Sequence, residues 1–355
     1  MPIRKRARGA ARRATIRDVA KHAGVSHQTV SRVINKEDTV APETRARVHV
    51  AIRELEYVPS AIARSLSSDR THTLGMVTTD VSDHFFAEAV VGAEAEARKH
   101  GLFLIIGTIE EGAEDDEGAY LRLMLEQRIE GLIIARPRLR AGSDAVLRRL
   151  TRRVPVVEIA SDINVPGVEL VDVDNRQGGL DATNLLIERG HRLIATVTGP
   201  LEWPSAQARL EGYREALRRA KLAEPAAHVA TGKDWGLASG EQAAARLVES
   251  GKHFTAVFAQ SDLLALGAIA HLRQRGTRVP EDVSVIGYDD IPVAAFVDPP
   301  LTTVRQPMRE VGALAVRLIV ERDSRDRGPA HRHLLRAPVI VRKSVAPPAV
   351  TALRA

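Results

Sequence analysis

Apolar residues spaced three to four positions apart open the chain and predict a short helix that ends at a glycine. Ile16, Val19 and Ala20 fall on one helical face, and the Thr15 hydroxyl can cap the helix that carries them. Gly24 follows, and glycine adopts the left-handed backbone of a tight turn at low cost. We therefore predict a first helix that ends in a glycine turn.

A second helical pattern follows this turn directly. Ser26 can cap it, and Val30, Val33 and Ile34 form its inward face. Two short helices joined by a glycine turn make a helix-turn-helix, which presents the start of its second helix to the DNA major groove. On the outer face of that helix, Gln28 can bind adenine through two hydrogen bonds, while Arg32 can reach guanine or a phosphate.

A third helix is predicted from Pro42 to a stop at Pro59. Its inward stripe is Val48, Ala51, Ile52 and Leu55.

From Leu74 onward, short apolar runs alternate with amphipathic helical stretches. Alternation of this kind predicts parallel, doubly wound α/β sheets, and so many units favour two lobes. The runs are LGMVTTD, GLFLIIGT, GLIIARP, VPVVEIA, HRLIATVTG, FTAVFAQ and VSVIGYDD.

Composition narrows the class of protein. The 355 residues include no cysteine, which excludes disulfides and thiolate metal sites. No apolar run reaches the roughly 18 residues that span a bilayer, and the basic N-terminus has no apolar segment of a signal peptide behind it. We expect a cytoplasmic, nucleoid-associated protein with no membrane contact, no metal and no cofactor.

Positive charge is concentrated at the N-terminal end. Through His72 there are fifteen Lys and Arg against seven Asp and Glu, a net charge of +8, whereas the remaining chain is −2. Because neutralising phosphates releases counterions, such a segment favours a nucleic-acid partner.

Polar side chains follow the apolar runs, where parallel strands end and ligands bind in α/β folds. Carboxylate and guanidinium groups hold pairs of hydroxyls, and aromatic rings cover apolar sugar faces, so these residues predict a polyol site. They are Asp80, Asp83 to Phe86, Arg136, Ser205, Arg209, Ser261, Asp262, Asp289 and Asp290.

The segments TIRDVAKHAGVSHQTVSRVIN and YVPSAIARSL resemble the DNA-binding region of the lactose-repressor (LacI/GalR) family. The resemblance implies a hinge helix that folds on operator DNA, with Leu66 wedged into a central minor-groove base step. The expected DNA-binding residues are Thr15, Ser26, His27, Gln28, Thr29, Ser31, Arg32, Asn35, Ala63, Arg64 and Leu66.

The resemblance continues through GHRLIATVTGPLEWPSAQARLEGY, VFAQSDLLALGAIAHLRQRG and PPLTTVRQPMREVGALAV, which look like the family's periplasmic-binding-protein-like effector core. It implies that Arg209 and Asp289 bind effector hydroxyls, and it places Trp203, Arg136 and Ala160 where the family usually has other residues. The expected effector-binding residues are Phe85, Phe86, Arg136, Ser205, Arg209, Trp235, Asp262 and Asp289.

The same resemblance gives the expected organisation of the chain. A basic tail (1–13), a helix-turn-helix domain (14–59) and a hinge helix with linker (60–72) precede a two-lobed effector and dimerisation domain (73–346). Lobe one is about 73–173 plus 306–336, and lobe two is about 174–305 plus 337–346. Residues 347–355 form a tail.

The sequence thus predicts a homodimeric repressor of carbohydrate-use genes that binds double-stranded operator DNA and is released by a sugar-like effector. Two alternatives are a regulator that needs a purine or phosphoprotein corepressor and a sugar-binding transport component. An enzyme acting on sugars is not favoured, because adjacent acids such as Asp289 and Asp290 tend to diverge at a strand end.

Overall fold

The computed structural model describes residues 14–35, 39–59, 70–109, 116–136, 143–160, 165–322 and 331–349. The predicted basic tail and the hinge residues Ala63, Arg64 and Leu66 lie outside these ranges. The chain divides into two compact units, Met1–Thr71 and His72–Ala355.

The first unit packs α1 (Ile16–Ala23), α2 (His27–Ile34) and α3 (Pro42–Glu54) around a small valine-rich core. Gly24 takes φ of 63° between α1 and α2, as the turn requires. The Arg47 guanidinium of α3 donates to the carbonyl of Ala23 at 2.7 Å, which ties the turn to the third helix. These contacts fix how α2 is presented.

The third helix ends earlier than the sequence predicts. It stops at Glu54, and Glu56 takes φ of 46° while the Tyr57 amide donates to the Ile52 carbonyl at 2.9 Å. A left-handed residue with this bond closes a helix C-terminus by itself. Pro59 therefore lies beyond the end of the helix and does not terminate it.

The second unit contains a six-stranded and a four-stranded parallel sheet in its described residues, with strand orders β11-β5-β4-β3-β1-β2 and β7-β6-β8-β9. A short antiparallel pair, β10 with β12, accompanies them. The strands are β1 (Thr73–Thr78), β2 (Phe103–Thr108), β3 (Gly131–Ala135), β4 (Val156–Ile159), β5 (Val168–Val173), β6 (Ile194–Thr198), β7 (Val229–Thr231), β8 (Ala256–Ala259), β9 (Ser284–Ile286), β10 (Thr303–Val304), β11 (Arg332–Leu335) and β12 (Val339–Ile340).

Helices cover both sheets, as the doubly wound pattern predicts. They are α4 (His84–Lys99), α5 (Asp116–Glu126), α6 (Ser143–Leu150), α7 (Asn175–Glu188), α8 (Pro204–Arg219), α9 (Leu237–Glu249), α10 (Asp262–Gln274) and α11 (Met308–Glu321). Late in the chain, α11 packs against α4 and β11 pairs with β5, so the C-terminal part returns to the six-stranded sheet.

Helices α7 and α8 touch through glycines. A Cβ on Gly212 would lie 2.1 Å from the Arg176 carbonyl oxygen, and one on Gly179 would lie 2.3 Å from the Arg209 carbonyl oxygen. Because side chains are absent at these two positions, the backbones approach closely. This contact sets the position of Arg209 relative to α7.

Every apolar run singled out in the sequence overlaps one of these strands. Five strands were not predicted: β5, β7, β10, β11 and β12. Of these, β7, β10 and β12 have only two or three residues, too few to establish an alternating or continuous apolar pattern. Among the described residues, no helix combines the length and apolar character needed to cross a bilayer.

Candidate functional site

The first candidate site is the outer face of α2. Ser26 caps this helix through its hydroxyl, which accepts the Thr29 amide at 3.1 Å. Val30 and Val33 are buried beneath it. His27, Gln28, Arg32 and Asn35 are exposed, while Thr29 and Ser31 are partly buried. The capped start of α2 therefore presents donors and acceptors suited to a DNA groove.

Thr15 stands at the corresponding end of α1. Its hydroxyl and backbone amide both bond the Asp18 carboxylate, at 2.7 and 2.8 Å, and the hydroxyl accepts the Asp18 amide. This capping box occupies the side chain that we expected at the DNA.

The second candidate site is a cavity of about 460 Å³ in the second unit, formed where several strands end. Its volume falls in the range of small-molecule sites, and its lining combines aromatic and apolar side chains with polar and charged ones. The described residues that line it are Ser82, Asp83, His84, Phe85, Phe86, Ala160, Asn175, Trp203, Ser205, Arg209, Trp235, Ser261, Leu263, Asp289, Ile291, Pro292, Val293 and Gln306.

Arg209 is the most constrained polar group in this cavity. It is 4 % exposed, and its Nε donates to Asn175 Oδ1 at 2.8 Å. Its Nη1 donates to the Gln260 carbonyl at 2.5 Å and lies 3.8 Å from Asp289 Oδ1. The guanidinium also stacks on Tyr288, with 3.7 Å between Cζ and the ring centroid. These contacts fix the guanidinium in one orientation.

Asp289 is the acidic partner of Arg209. It takes φ of 118°, and its carboxylate accepts the Gln306 side-chain amide at 2.6 Å. Asp290 turns away and pairs with Arg305 and Arg342, each at 2.6 Å. Burial raises the pKa of Asp289, so its charge depends on the neighbouring guanidinium.

Two tryptophans extend the wall beyond Arg209. The Arg209 Cζ lies 5.3 Å from the Trp235 ring, and the Trp235 and Trp203 centroids lie 5.7 Å apart at 73°. Trp235 Nε1 is buried without a hydrogen-bond partner among the described residues, as is Gln306 Oε1. A buried polar atom left unpaired is costly, so both atoms suit a polar ligand.

Comparisons with known proteins match both parts of the chain. Residues 15–60 match the model of bacterial regulatory proteins of the lacI family, and residues 183–345 match that of a periplasmic binding protein-like domain. The HTH-type transcriptional repressor PurR of Aliivibrio salmonicida (strain LFI1238) is 39 % identical over 332 residues, which cover 94 % of this chain and 99 % of PurR. The ribose operon repressor of Escherichia coli (strain K12) is 39 % identical over 309 residues, covering 87 % and 93 %.

The chain belongs to the LacI family. Its relatives are transcriptional repressors by name, so it is a DNA-binding transcriptional regulator and not an enzyme. The lac repressor dimer bound to operator and the anti-inducer ONPF is 30 % identical with a TM-score of 0.84, covering 94 % of this chain and all of that one. A complex of the regulator CelR with cellobiose is 36 % identical with a TM-score of 0.68 and the same coverage. The predicted helix-turn-helix and periplasmic-binding-protein-like α/β fold are confirmed.

Two expected effector residues of this LacI-family chain lie away from the cavity lining. Arg136 is buried, 6 % exposed, and is not among the lining residues. Asp262 is fully buried, where it accepts the Ile291 amide at 2.9 Å and the Thr303 hydroxyl at 2.5 Å. Its carboxylate thus holds the loop that follows Asp289 and does not face the cavity.

Six expected residues do line the cavity: Phe85, Phe86, Ser205, Arg209, Trp235 and Asp289. Asp83, His84 and Ser261, which the sequence predicted for the polyol site, line the cavity as well. Sequence reasoning did not select Asn175, Trp203 or Gln306 as ligand contacts. Trp203 lies a few residues beyond the predicted run HRLIATVTG, a signal that could have found it. Asn175 and Gln306 follow β5 and β10, which were not predicted, and therefore carried no signal.

Within the described ranges, no group of three or more His, Asp or Glu residues is placed to hold a metal ion. His333, one of the histidines near the C-terminus, instead lies 3.2 Å from Glu169.

Proposed function

We propose that this regulator is a homodimeric repressor that binds operator DNA through α2 and the hinge and releases it when a sugar-like effector occupies the Arg209–Asp289 cavity. It would act in the cytoplasm, on nucleoid DNA, at genes for carbohydrate use. The observation that carries this proposal is the fixed Arg209–Asp289 pair in a cavity of ligand size.

The cavity supports a polyol effector. A carboxylate accepts hydrogen bonds from hydroxyl groups, a guanidinium donates hydrogen bonds to hydroxyl oxygens, and Phe85 can cover an apolar ring face. Asp83 brings a second carboxylate into the lining from the six-stranded lobe, so one ligand can contact both lobes. Relatives named for the ribose operon and a neighbour bound to cellobiose agree with this chemistry.

Release requires linkage between the two ligands. The effector must bind the state of low DNA affinity more tightly, and a coupling of about 1–3 kcal/mol changes DNA affinity roughly 5- to 150-fold.

The test uses the full chain and a duplex selected by it from a randomised DNA library. Fluorescence anisotropy then measures DNA binding with and without ribose, glucose, cellobiose, adenosine and guanine. We expect weaker DNA binding with at least one sugar or glycoside. Tighter binding with guanine would replace release by corepression, and equal binding with every compound would overturn the effector role of the cavity.

A further inference from the structure

One part of the cavity lining is charged and another part is aromatic. Tyr288 is fully buried, Arg209 stacks on it, Trp235 follows at 5.3 Å, and Trp203 stands edge to face beyond Trp235. Both tryptophans are partly exposed. The cavity lining therefore joins the polyol-binding pair to two adjacent indole rings.

Trp203 owes its position to the start of α8. It is the N-cap residue of that helix, in an extended conformation, and it provides no side-chain cap. Pro204 fixes the first helical position, so the indole is held at the helix entrance. Ser, Thr, Asp or Asn would stabilise the helix start, and tryptophan does not. The stability of the helix start therefore does not explain why tryptophan stands at position 203. Contact between its indole ring and a ligand does.

The unpaired polar atoms specify a second requirement. Trp235 Nε1 can only donate, and Gln306 Oε1 can only accept, since the Gln306 amide nitrogen is bonded to Asp289. A hydroxyl satisfies either atom. The ligand therefore carries a hydrogen-bond acceptor next to Trp235 and a donor next to Gln306, beside Asp289.

The charges of the lining disfavour an anionic ligand. Arg209 is the one permanent cation among the described lining residues, beside the carboxylates of Asp83 and Asp289. Two of its donors are already taken by Asn175 and Gln260. A phosphate group would bring up to two negative charges next to two acidic side chains, with Arg209 as the one permanent cation to pair with them, at a large desolvation cost.

We propose that the effector is an uncharged glycoside of two ring units, with a polyol ring at Arg209 and Asp289 and a second ring on Trp203. The second ring is either another sugar or a nucleobase, since both present a face to an indole. A volume of about 460 Å³ falls in the range that encloses drug-sized molecules, which admits two rings. This inference rests on the proposed function of the cavity.

Isothermal titration calorimetry of the full chain tests the proposal with ribose, glucose, cellobiose, adenosine and glucose 6-phosphate. Stacking of a ring on an aromatic side chain corresponds to about 5- to 150-fold in affinity. We expect cellobiose or adenosine to bind more tightly than ribose and glucose by such a factor, and glucose 6-phosphate to bind more weakly than glucose. Tighter binding of cellobiose would place a sugar on Trp203, and tighter binding of adenosine would place a nucleobase there.

Two substitutions of Trp203 test whether its indole ring causes the tighter binding of the two-ring compound. Trp203→Ala should remove the advantage of the two-ring compound and change binding of the single sugars by no more than about twofold. Trp203→Phe should keep most of the advantage of the two-ring compound, because phenylalanine retains an aromatic face. Leu237→Ala is the control, because Leu237 is an exposed apolar residue that does not line the cavity. Thermal unfolding of each variant verifies that it is folded.

Three results would overturn the proposal: a single sugar or glucose 6-phosphate that binds most tightly, equal losses of all compounds in Trp203→Ala, or no binding of either glycoside up to about 1 mM. A failure of the proposed function gives a different result. In that case a glycoside binds with the expected dependence on Trp203, but anisotropy shows no change in DNA affinity.

Discussion

Asp262 and Asp289 are two aspartates near the cavity, but only Asp289 lines it. Asp289 follows β9, takes a positive φ and turns its carboxylate to Gln306 and Arg209. Asp262 begins α10 and directs its carboxylate inward, to the Ile291 amide and the Thr303 hydroxyl. Burial raises the pKa of Asp262 as well, with the nearby Asp289 charge adding to the effect. Asp262 positions the loop, and Asp289 contacts the cavity.

Gln28 is the residue on α2 with the most specific base chemistry. Gln28→Ala should relax base preference at one operator position by about 1–3 kcal/mol, because it removes a pair of hydrogen bonds to one base. Selection from a randomised DNA library measures this preference.

His49→Ala, on the exposed side of α3, is the matched control and should leave the selected sequence unchanged. An unaltered preference in Gln28→Ala would exclude base contact by this side chain.

Asp172 carries a pH dependence of stability. Burial raises its pKa to about 6 from 3.8, so the folded chain holds a proton that the unfolded chain has released. This contribution is complete below about pH 4 and is lost as the pH rises through about 6. The free energy of unfolding should therefore fall across this window, by up to about 3 kcal/mol.

Asp172→Asn removes the titrating group, so its denaturation midpoint should vary less between pH 4 and 6 than that of the parent chain. Asp298→Asn, whose side chain is 94 % exposed, should follow the parent. Identical pH profiles for the parent and Asp172→Asn would refute the raised pKa.

Helix α8 depends on a backbone contact as much as on its apolar face. Alanine favours a helix interior over glycine by about 1 kcal/mol. At Gly212, however, a Cβ would lie 2.1 Å from the Arg176 carbonyl oxygen, and backbone cannot give way as a flexible side chain can. The steric term therefore exceeds the propensity gain.

Gly212→Ala should lower stability by about 1–3 kcal/mol and weaken effector binding, because α8 carries Arg209. Chemical denaturation and calorimetry measure the two effects. Gly101→Ala is the control: Gly101 has φ of 68° with no neighbouring atom within 4 Å, so it should lose about 1 kcal/mol and bind normally. Normal stability of Gly212→Ala would contradict the close helix contact.

The positions of helices and strands follow from the local sequence only where the apolar pattern is long enough. The apolar runs gave seven strands because six of them bury a continuous stretch in a parallel sheet. The seventh, β2, is an apolar edge strand that is only partly buried. Short strands such as β10 form because distant segments, here Val304 and Val339, pair in space. The end of α3 was misplaced for a related reason: the left-handed Glu56 lacks the glycine that usually reveals such a cap.

For the whole molecule, the proposed function couples effector binding to DNA binding, so that the effector lowers the affinity for DNA. Asp289→Asn should shift the effector response to roughly 10- to 150-fold higher concentration, since a hydrogen bond to a charged group contributes about 1.5–3 kcal/mol. DNA affinity without effector should stay within a few-fold of the parent.

Anisotropy titrations with the selected duplex measure both quantities, and Asp298→Asn again serves as the control. An unchanged effector response would remove Asp289 from the effector site. A large loss of DNA affinity without effector would assign it a structural role instead.

The sequence by itself determined the parts of this protein that depend on neighbours along the chain. Capping residues and apolar spacing placed α1 and α2, the excess of Lys and Arg marked the DNA-binding end, and family motifs pointed to Arg209 and Asp289. Tertiary structure alone decided which polar residues share the cavity. Asp262 and Gln306 both adjoin strands, but the direction of each side chain depends on backbone torsions and on packing between segments far apart in sequence.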